Sequence, residues 1–284
     1  MKNSETNKLS SWLDGLNRGE MMAQFIMRET GLLKNKNILD IGAGGGGISI
    51  AFAKHCLKVT AVEPSDEYAG IIRERIKNGN VNNISLIQEP FLSARLAENS
   101  FDLILLNGVL EWTAINEAGD FENVHQRVLS RAFSLLKNGG VLYLGIENRW
   151  FPLNLLWDPH VSLPFVCMLP RKIADFVSYL LAGRLYKTPI YSYRKLKGMV
   201  GSAGFAGSTV YMPVINYQYP CGVINIEEKG YACDRQNAGI YAKYKNLNID
   251  AHPDIKLFYI KTILALKLAK LLAKSFIVLA YKNS

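Results

Sequence analysis

The chain has 284 residues, of which 49% are hydrophobic and 20% charged, and its net charge is +9. This composition allows one large buried core and excludes a disordered or fibrous protein. The four cysteines lie far apart without a CxxC pair, so we expect free thiols, no disulfide framework and no metal site. The polar first eleven residues lack the apolar region of a secretory signal, and we expect a cytoplasmic protein.

The excess of positive over negative charge lies wholly in the second half of the chain. Residues 151–284 hold 17 Lys and Arg against 7 Asp and Glu, whereas residues 1–150 are close to neutral. Such an excess suits phosphate, anionic lipid or nucleic acid, although a solvated basic surface has the same composition.

The first segment of the chain is a predicted helical cap. Apolar residues recur at near-helical spacing between positions 6 and 30, and the pattern is interrupted by Gly15 and Gly19. We therefore predict two short helices within residues 1–34, lying over a site that begins at Asp40.

Residues 37–50, NILDIGAGGGGISI, predict a buried strand, a glycine turn and a helix in that order. Glycine is required where a chain leaves a strand with positive φ, and where backbone lies against a ligand without an intervening Cβ. A ligand is expected at the beginning of the helix.

Further apolar runs continue this strand and helix alternation. Because the runs are continuous and are separated by amphipathic helices, they predict a parallel sheet covered on both faces. The remaining strands are predicted at 57–62, 83–88, 101–106, 141–146, 207–215 and 275–281.

Two insertions and a long helix complete the predicted order. Residues 150–191, rich in proline and aromatic side chains, and residues 216–254 are predicted insertions with substrate-facing potential. Residues 255–274 predict one long helix, whose lysines are too numerous for a membrane span. The predicted basic face lies opposite a row of leucines. It belongs either to a surface helix that packs on the sheet or to a helix that meets a membrane surface or an anionic substrate. This face comprises Lys256, Lys267, Lys270 and Lys274.

Asp40 distinguishes between two types of nucleoside ligand. The spacing Gly42-x-Gly44-x-x-Gly47, with Glu63 about twenty residues beyond, fits a dinucleotide fingerprint. However, a carboxylate two residues before the first glycine would repel a pyrophosphate and would attract a cationic amino group. A nucleoside with ammonium and sulfonium charges therefore fits better than NAD.

Four motifs in order resemble those of class I S-adenosylmethionine-dependent methyltransferases. They are LDIGAGGG (39–46), AVEPS (61–65), FDLILLNGVLEW (101–112) and LLKNGGVLYLGIENR (135–149). The resemblance implies a single α/β domain over residues 1–284 with a Rossmann-like, seven-stranded, mostly parallel sheet, helices on both faces and an antiparallel last strand at 275–281. It also implies that residues 35–149 form the half that binds S-adenosyl-L-methionine.

The same resemblance implies the residues that hold this cofactor. Asp40 would lie near the amine, directly or through water, and Glu63 would bind the ribose. The adenine amino group would meet Gln88 or Glu89, and Phe91 would either flank the ring or belong to the core. The implied cofactor-binding set is Asp40, Gly42, Ala43, Gly44, Glu63, Pro64, Gln88, Glu89, Asn107 and Gly108.

Methyl transfer to oxygen or nitrogen often requires a base that takes a proton from the acceptor. The candidates are His160, Glu147 and Tyr193, of which only His160 titrates near neutral pH when unperturbed. Glu111 and Trp112 either face the acceptor or pack in the core.

The segment after the fifth strand narrows the resemblance. GIENRW (145–150) and the proline-rich and aromatic-rich stretch after it look like methyltransferases of bacterial polysaccharide and glycan assembly. This implies O-methylation of a small-molecule or glycan acceptor, lipid-linked or phosphorylated, with peripheral contact at the inner membrane face through the basic C-terminal helix.

Two alternative functions remain open from the sequence. One is a nucleic-acid methyltransferase, although NGVLEW (107–112) stands where a base-flipping motif of the Asn-Pro-Pro-Tyr type would be expected, so no nucleic-acid partner is predicted. The other is a catalytically inactive, cofactor-binding scaffold in glycan assembly, because binding and catalysis use different residues.

Overall fold

The computed structural model describes residues 2–115, 117, 119–220, 222–228 and 253–283. Their strands form one sheet of eight, in the spatial order β3-β2-β1-β4-β5-β8-β6-β7. The strands are β1 (Asn37–Ile41), β2 (Lys58–Val62), β3 (Ile84–Ile87), β4 (Phe101–Asn107), β5 (Leu136–Glu147), β6 (Gly207–Pro213), β7 (Val223–Asn225) and β8 (Ser275–Tyr281).

Five parallel strands form the first part of the sheet, as the continuous apolar runs predict. β1 pairs in parallel with β2 and β4, while β3 joins β2 and β5 joins β4. β8 lies antiparallel between β5 and β6, so the expectation of an antiparallel last strand is confirmed. The sheet has one strand more than the predicted seven, because the three-residue β7 adds antiparallel to β6 at the edge. A strand this short carries too few residues for a periodic signal.

Helices cover both faces of the sheet, and each face has its own apolar core. Residues of α1 and α2, including Met22, Phe25 and Phe52, belong to one core. Residues of α4 and α6 belong to the other. The helices are α1 (Lys2–Thr30), α2 (Gly47–Ala53), α3 (Asp66–Asn78), α4 (Phe121–Leu135), α5 (Arg171–Ala182), α6 (Tyr193–Ser202), α7 (Pro253–Ala265) and α8 (Ala269–Leu272).

The predicted pair of N-terminal helices is instead the single helix α1, which continues through both glycines. A Cβ at Gly19 would lie 2.5 Å from the Cβ of Ala51, and a Cβ at Gly15 would lie 3.3 Å from the Cα of Gly47. These glycines therefore allow close contact between α1 and α2 rather than breaking the helix. Sequence spacing does not distinguish these two uses of glycine.

The predicted single helix over 255–274 is also wrong. It divides into α7 and α8, because Lys267 adopts a left-handed conformation with φ of 57°. The predicted opposition of lysines and leucines across one helix therefore does not hold: Leu264 is fully buried, whereas Leu271 is 48% exposed. None of the helices in the described ranges is both long and apolar enough to cross a bilayer.

The insertion over residues 150–191 contains two short 3-10 turns, Pro152–Leu155 and Val166–Met168, followed by α5. Asp158 holds the intervening loop together by accepting hydrogen bonds from the N–H groups of His160 and Val161 and from the hydroxyl of Tyr186. Most of the second predicted insertion, residue 221 and residues 229–252, lies outside the described residues.

Candidate functional site

The glycine turn at the end of β1 is open toward a cavity. Gly42 and Gly44 have φ of 66° and 53°, in the left-handed region that favours glycine. The N–H groups of Gly42 and Ala43 both donate to the carbonyl of Val62, which fixes the turn against β2. A Cβ at Gly42 would lie 2.6 Å from Val109, whereas a Cβ at Gly44 would meet nothing within 4 Å. Gly44 therefore presents bare backbone to open space.

Glu63 lies at the end of β2 and faces the same turn. Its carboxylate accepts hydrogen bonds from the N–H of Gly44 at 2.8 Å and from the N–H of Ser65 at 3.0 Å. Each oxygen thus retains acceptor capacity for a further donor. The side chain is almost buried and lines the cavity.

Asp40 lies behind the glycine turn and not in the cavity lining. It is buried, and its Oδ2 accepts a hydrogen bond from the hydroxyl of Ser49 at 2.6 Å. Burial raises the pKa of Asp40 to about 7, the hydrogen bond from Ser49 opposes this, and the charge of Glu63 adds to it. A cation nearby would favour the ionised form of Asp40.

The cavity lies at the carboxyl ends of β1, β2 and β4 and has a volume of about 1260 Å³. Most of the predicted cofactor-binding residues contribute to its wall. These are Gly42, Ala43, Gly44, Glu63, Pro64, Asn107 and Gly108. This position, where parallel strands end around a glycine turn, is the usual ligand site of an open α/β sheet.

Gln88 and Glu89 are not among the lining residues. The Gln88 amide is held by Asp66 and Arg73 on the surface, and Glu89 is exposed. The next residues, Pro90, Phe91 and Leu92, line the cavity instead. These three residues form an apolar part of the cavity wall. Adenine recognition by Gln88 or Glu89 stays a prediction.

At the end of β4, polar groups lie beside the cavity. The Oδ1 atom of Asn107 is buried without a hydrogen-bond partner. Gly108 adopts φ of 68° and lies directly against the Tyr217 side chain, which leaves no space for a Cβ. Tyr217 also lines the cavity, and its hydroxyl interacts with Glu147 at the end of β5.

Three titratable side chains meet just behind this wall. The Nε2 atom of His160 lies 3.4 Å from Glu111 Oε1 and 3.7 Å from Glu147 Oε2. Glu111 is fully buried, and neither of its oxygens has a hydrogen-bond partner. The ring of His160 packs edge-on against Trp112, which lines the cavity. We call Glu111, Glu147 and His160 the carboxylate–histidine cluster.

The electrostatics of this cluster favour bound protons. Burial raises the pKa of Glu147 to about 7, the charge of Glu111 adds to this, and His160 opposes it. Burial alone would lower the pKa of His160, but Glu111 and Glu147 outweigh it and raise that pKa. Both shifts favour the protonated forms, so Glu147 and His160 hold a proton more readily than the free side chains would. Its ligand atoms, all within 4.8 Å of one another, would also suit a divalent cation.

Two of the three catalytic candidates, His160 and Glu147, meet in this cluster. Tyr193 does not, because its hydroxyl donates to Glu227 and its ring faces Phe276 and Lys270. Sequence reasoning missed Tyr217 and the meeting of Glu111 with His160. Neither has a local signal, because both depend on contacts between segments that are far apart in the chain.

Comparisons of the sequence and the fold with known proteins found similar methyltransferases. Residues 39–144 match a protein family described as a methyltransferase domain. The ubiquinone biosynthesis O-methyltransferase of Coxiella burnetii is 28% identical over 153 residues, which are 54% of this chain and 61% of that protein. The chain thus spans less than two thirds of the length of this curated relative.

Two solved structures share the fold at low identity. One is phosphoethanolamine N-methyltransferase 2 of Haemonchus contortus in complex with phosphomonomethylethanolamine and S-adenosylhomocysteine. It is 15% identical with a TM-score of 0.52, and the match covers 92% of this chain and 52% of that chain. The other is the [4+2]-cyclase SpnF, 12% identical with a TM-score of 0.53, with coverage of 93% and 80%. Because a cyclase has this fold too, the fold alone does not assign the reaction.

Proposed function

We propose that the chain transfers a methyl group from S-adenosyl-L-methionine to a small-molecule hydroxyl, because residues 39–144 match a methyltransferase domain family and the sheet has the mostly parallel strand order of the class I methyltransferase fold. The observation that carries the proposal is the cavity, in which the open backbone of Gly44 and the carboxylate of Glu63 face the same space. When bound, the cofactor supplies a methyl group on a sulfonium that an acceptor can attack in line.

The residues of the cavity fit this cofactor. Gly44 leaves room for close approach to its backbone, and Glu63 can accept hydrogen bonds from ribose hydroxyls. Asp40, once ionised, would stabilise an ammonium group of the ligand, directly or through water. Asn107 adds a polar side chain to the cavity wall at the end of β4.

The carboxylate–histidine cluster supplies a place for the acceptor's proton. Tyr217 connects the cavity with Glu147, because this residue lines the cavity and its hydroxyl interacts with that carboxylate. In step with transfer of the methyl group from sulfur to the acceptor oxygen, which breaks the methyl–sulfur bond, the acceptor hydroxyl would give its proton to the Tyr217 oxygen, and Tyr217 would pass its own proton to Glu147. His160 stabilises the carboxylates and shares the proton.

We propose a glycan as the acceptor, lipid-linked or phosphorylated, in keeping with the basic second half of the chain. The position of the protein at the inner membrane face, with contact through the lysines of α7 and α8, remains part of this proposal. A role as a nucleic-acid methyltransferase would require a salt-dependent shift of labelled RNA or DNA.

Calorimetric titration with S-adenosylhomocysteine tests the donor. We expect saturable binding that Glu63→Gln weakens at least about tenfold, because hydrogen bonds to a charged group contribute about 1.5–3 kcal/mol. Glu67→Gln, an exposed acid at the start of α3, is the matched control and should bind normally. The absence of heat at millimolar ligand would exclude the proposed donor.

Product mass analysis with candidate glycans tests the transfer itself. We expect the gain of one methyl group, a large loss of turnover in His160→Ala, and unchanged S-adenosylhomocysteine affinity in that variant. His55→Ala is the control, because His55 lies on the surface beside Glu20. A chain that binds the cofactor product yet methylates no acceptor would instead support the scaffold alternative.

A further inference from the structure

Exposed apolar side chains concentrate in one part of the molecule. Among the residues that the structure describes, twenty large hydrophobic side chains are exposed, and twelve of them lie within residues 150–185. This segment is about an eighth of the chain, so an even distribution would place only two or three there. Large exposed apolar patches usually mark interaction surfaces.

Helix α5 carries five of these twelve residues, and its large apolar side chains face outward while its small residues face the protein. Ala174 and Ser178 form its buried side, whereas Ile173, Phe176 and Leu180 form an outward stripe at spacings of three and four residues. Phe176 is 66% exposed and Leu180 is 70% exposed. We call the outward residues of α5 and the segment after it the α5 surface. They are Ile173, Phe176, Tyr179, Leu180, Leu181 and Leu185.

A second group of exposed apolar residues lies in the turn next to α5. Leu153, Leu155, Leu156 and Trp157 are all exposed. The 3-10 segment Val166–Met168 packs against both the 3-10 segment Pro152–Leu155 and α5. The two groups therefore belong to one packed substructure.

The charges around the α5 surface are of one sign. Lys172, Arg184 and Lys187 are exposed, and residues 150–191 contain only two acids. Asp158 is fully buried, and Asp175 forms an ion pair with Arg171. Exposed cations beside Leu, Phe, Trp and Tyr are the combination that binds an anionic lipid surface, whereas an interface between two protein copies has few charged residues at its centre.

The α5 surface is tied to the candidate active site through Asp158. One oxygen of Asp158 accepts hydrogen bonds from the N–H groups of His160 and Val161, and the other accepts from Tyr186, shortly after α5. The loop that carries His160 thus shares an anchor with the segment that carries the exposed apolar residues.

We propose that the α5 surface is a docking site for an anionic lipid membrane, with the apolar side chains entering the interface and the three cations meeting lipid phosphates. This contact would act together with the contact through the lysines of α7 and α8 that the proposed function includes. The inference stands on the exposed surface and is independent of the methyl transfer.

Vesicle flotation with the full chain tests the docking. We expect binding to vesicles of about one third phosphatidylglycerol in phosphatidylcholine, weak binding to pure phosphatidylcholine, and loss of binding as salt rises. The double substitution Phe176→Glu and Leu180→Glu should lower partitioning at least about tenfold, because it places charge in the apolar interface.

A matched control introduces the same two charges elsewhere. Met27→Glu and Leu57→Glu change two exposed residues far from α5 in the chain and should leave partitioning unchanged. Both double variants should bind S-adenosylhomocysteine as the wild type does, so failure of docking is distinguishable from failure of the proposed function.

Three results would overturn the proposal. The first is no binding of the wild type to either kind of vesicle. The second is equal binding to charged and neutral vesicles, which would remove the anionic lipid. The third is a dimer, measured by light scattering, that the Phe176 and Leu180 substitutions dissociate while vesicle binding is absent, which would assign the surface to a second copy of the chain.

Discussion

Replacing Asp40 by asparagine tests two effects of the buried carboxylate: its electrostatic cost to the stability of the fold, and its contribution to ligand affinity. Burial raises the pKa of Asp40 to about 7, against an ordinary value of 3.8. Asparagine retains an oxygen that can accept the hydrogen bond from Ser49 but carries no charge. The substitution therefore removes the titration and preserves the local geometry.

The size and sign of the effect on stability follow from this pKa. At about 1.4 kcal/mol for each pH unit, the difference between 3.8 and 7 corresponds to about 4 kcal/mol in the free energy of unfolding. Because the folded pKa lies above the unfolded one, this contribution is fully present below the unfolded value and is lost as pH rises through the folded value. We expect Asp40→Asn to exceed the wild type in stability by up to about 4 kcal/mol near pH 8, and to lose that advantage toward pH 4.

Urea denaturation of both proteins from about pH 5 to pH 8, without ligand, measures this difference. In parallel, calorimetry should show that the affinity of the wild type for S-adenosylhomocysteine rises with pH through about 7, because an ammonium group selects the ionised acid. The variant should bind more weakly and with little dependence on pH. If the stability difference does not grow with pH, the burial argument fails, and if the variant binds normally, Asp40 does not serve the amine.

Two further predictions concern the glycine turn and a buried histidine. Gly44→Val should abolish S-adenosylhomocysteine binding in calorimetry, because it places a side chain in the open space where ligand would meet backbone. The control is Gly198→Val in α6, where an added Cβ would also meet no atom within 4 Å. This variant should bind normally. Burial lowers the pKa of His125 to about 4 from 6.5, so its contribution of about 3 kcal/mol is present above pH 6.5 and is lost as pH falls through 4. His125→Gln should therefore reduce the acid sensitivity of the unfolding free energy, and an unchanged pH profile would contradict this.

The elements with strong local signals were predictable from the sequence. The five parallel strands follow from continuous apolar runs, and the turn after β1 follows from its glycines. The errors occurred where tertiary contacts override local propensity. Gly15 and Gly19 permit helix packing rather than ending α1, and Lys267 ends α7 in a conformation that has no sequence signature.

The candidate site likewise contains residues that the sequence predicts and residues whose position depends on tertiary contacts. Gly42, Gly44 and Glu63 line the cavity as the motif spacing predicts. By contrast, the place of Tyr193 beside Glu227, away from the carboxylate–histidine cluster, could not be inferred from residue type.

By itself, the sequence determined the glycine-turn side of the cavity, because a strand, a turn and a helix that adjoin in the chain build it from their own backbone. Only the tertiary structure decided the carboxylate–histidine cluster beside the cavity. In this cluster, Glu111 after β4 and Glu147 at the end of β5 each place a carboxylate oxygen within 4 Å of the imidazole of His160, which comes from the insertion. Such a meeting depends on how distant segments pack, and the packing of distant segments leaves no periodic or spacing signal in the chain.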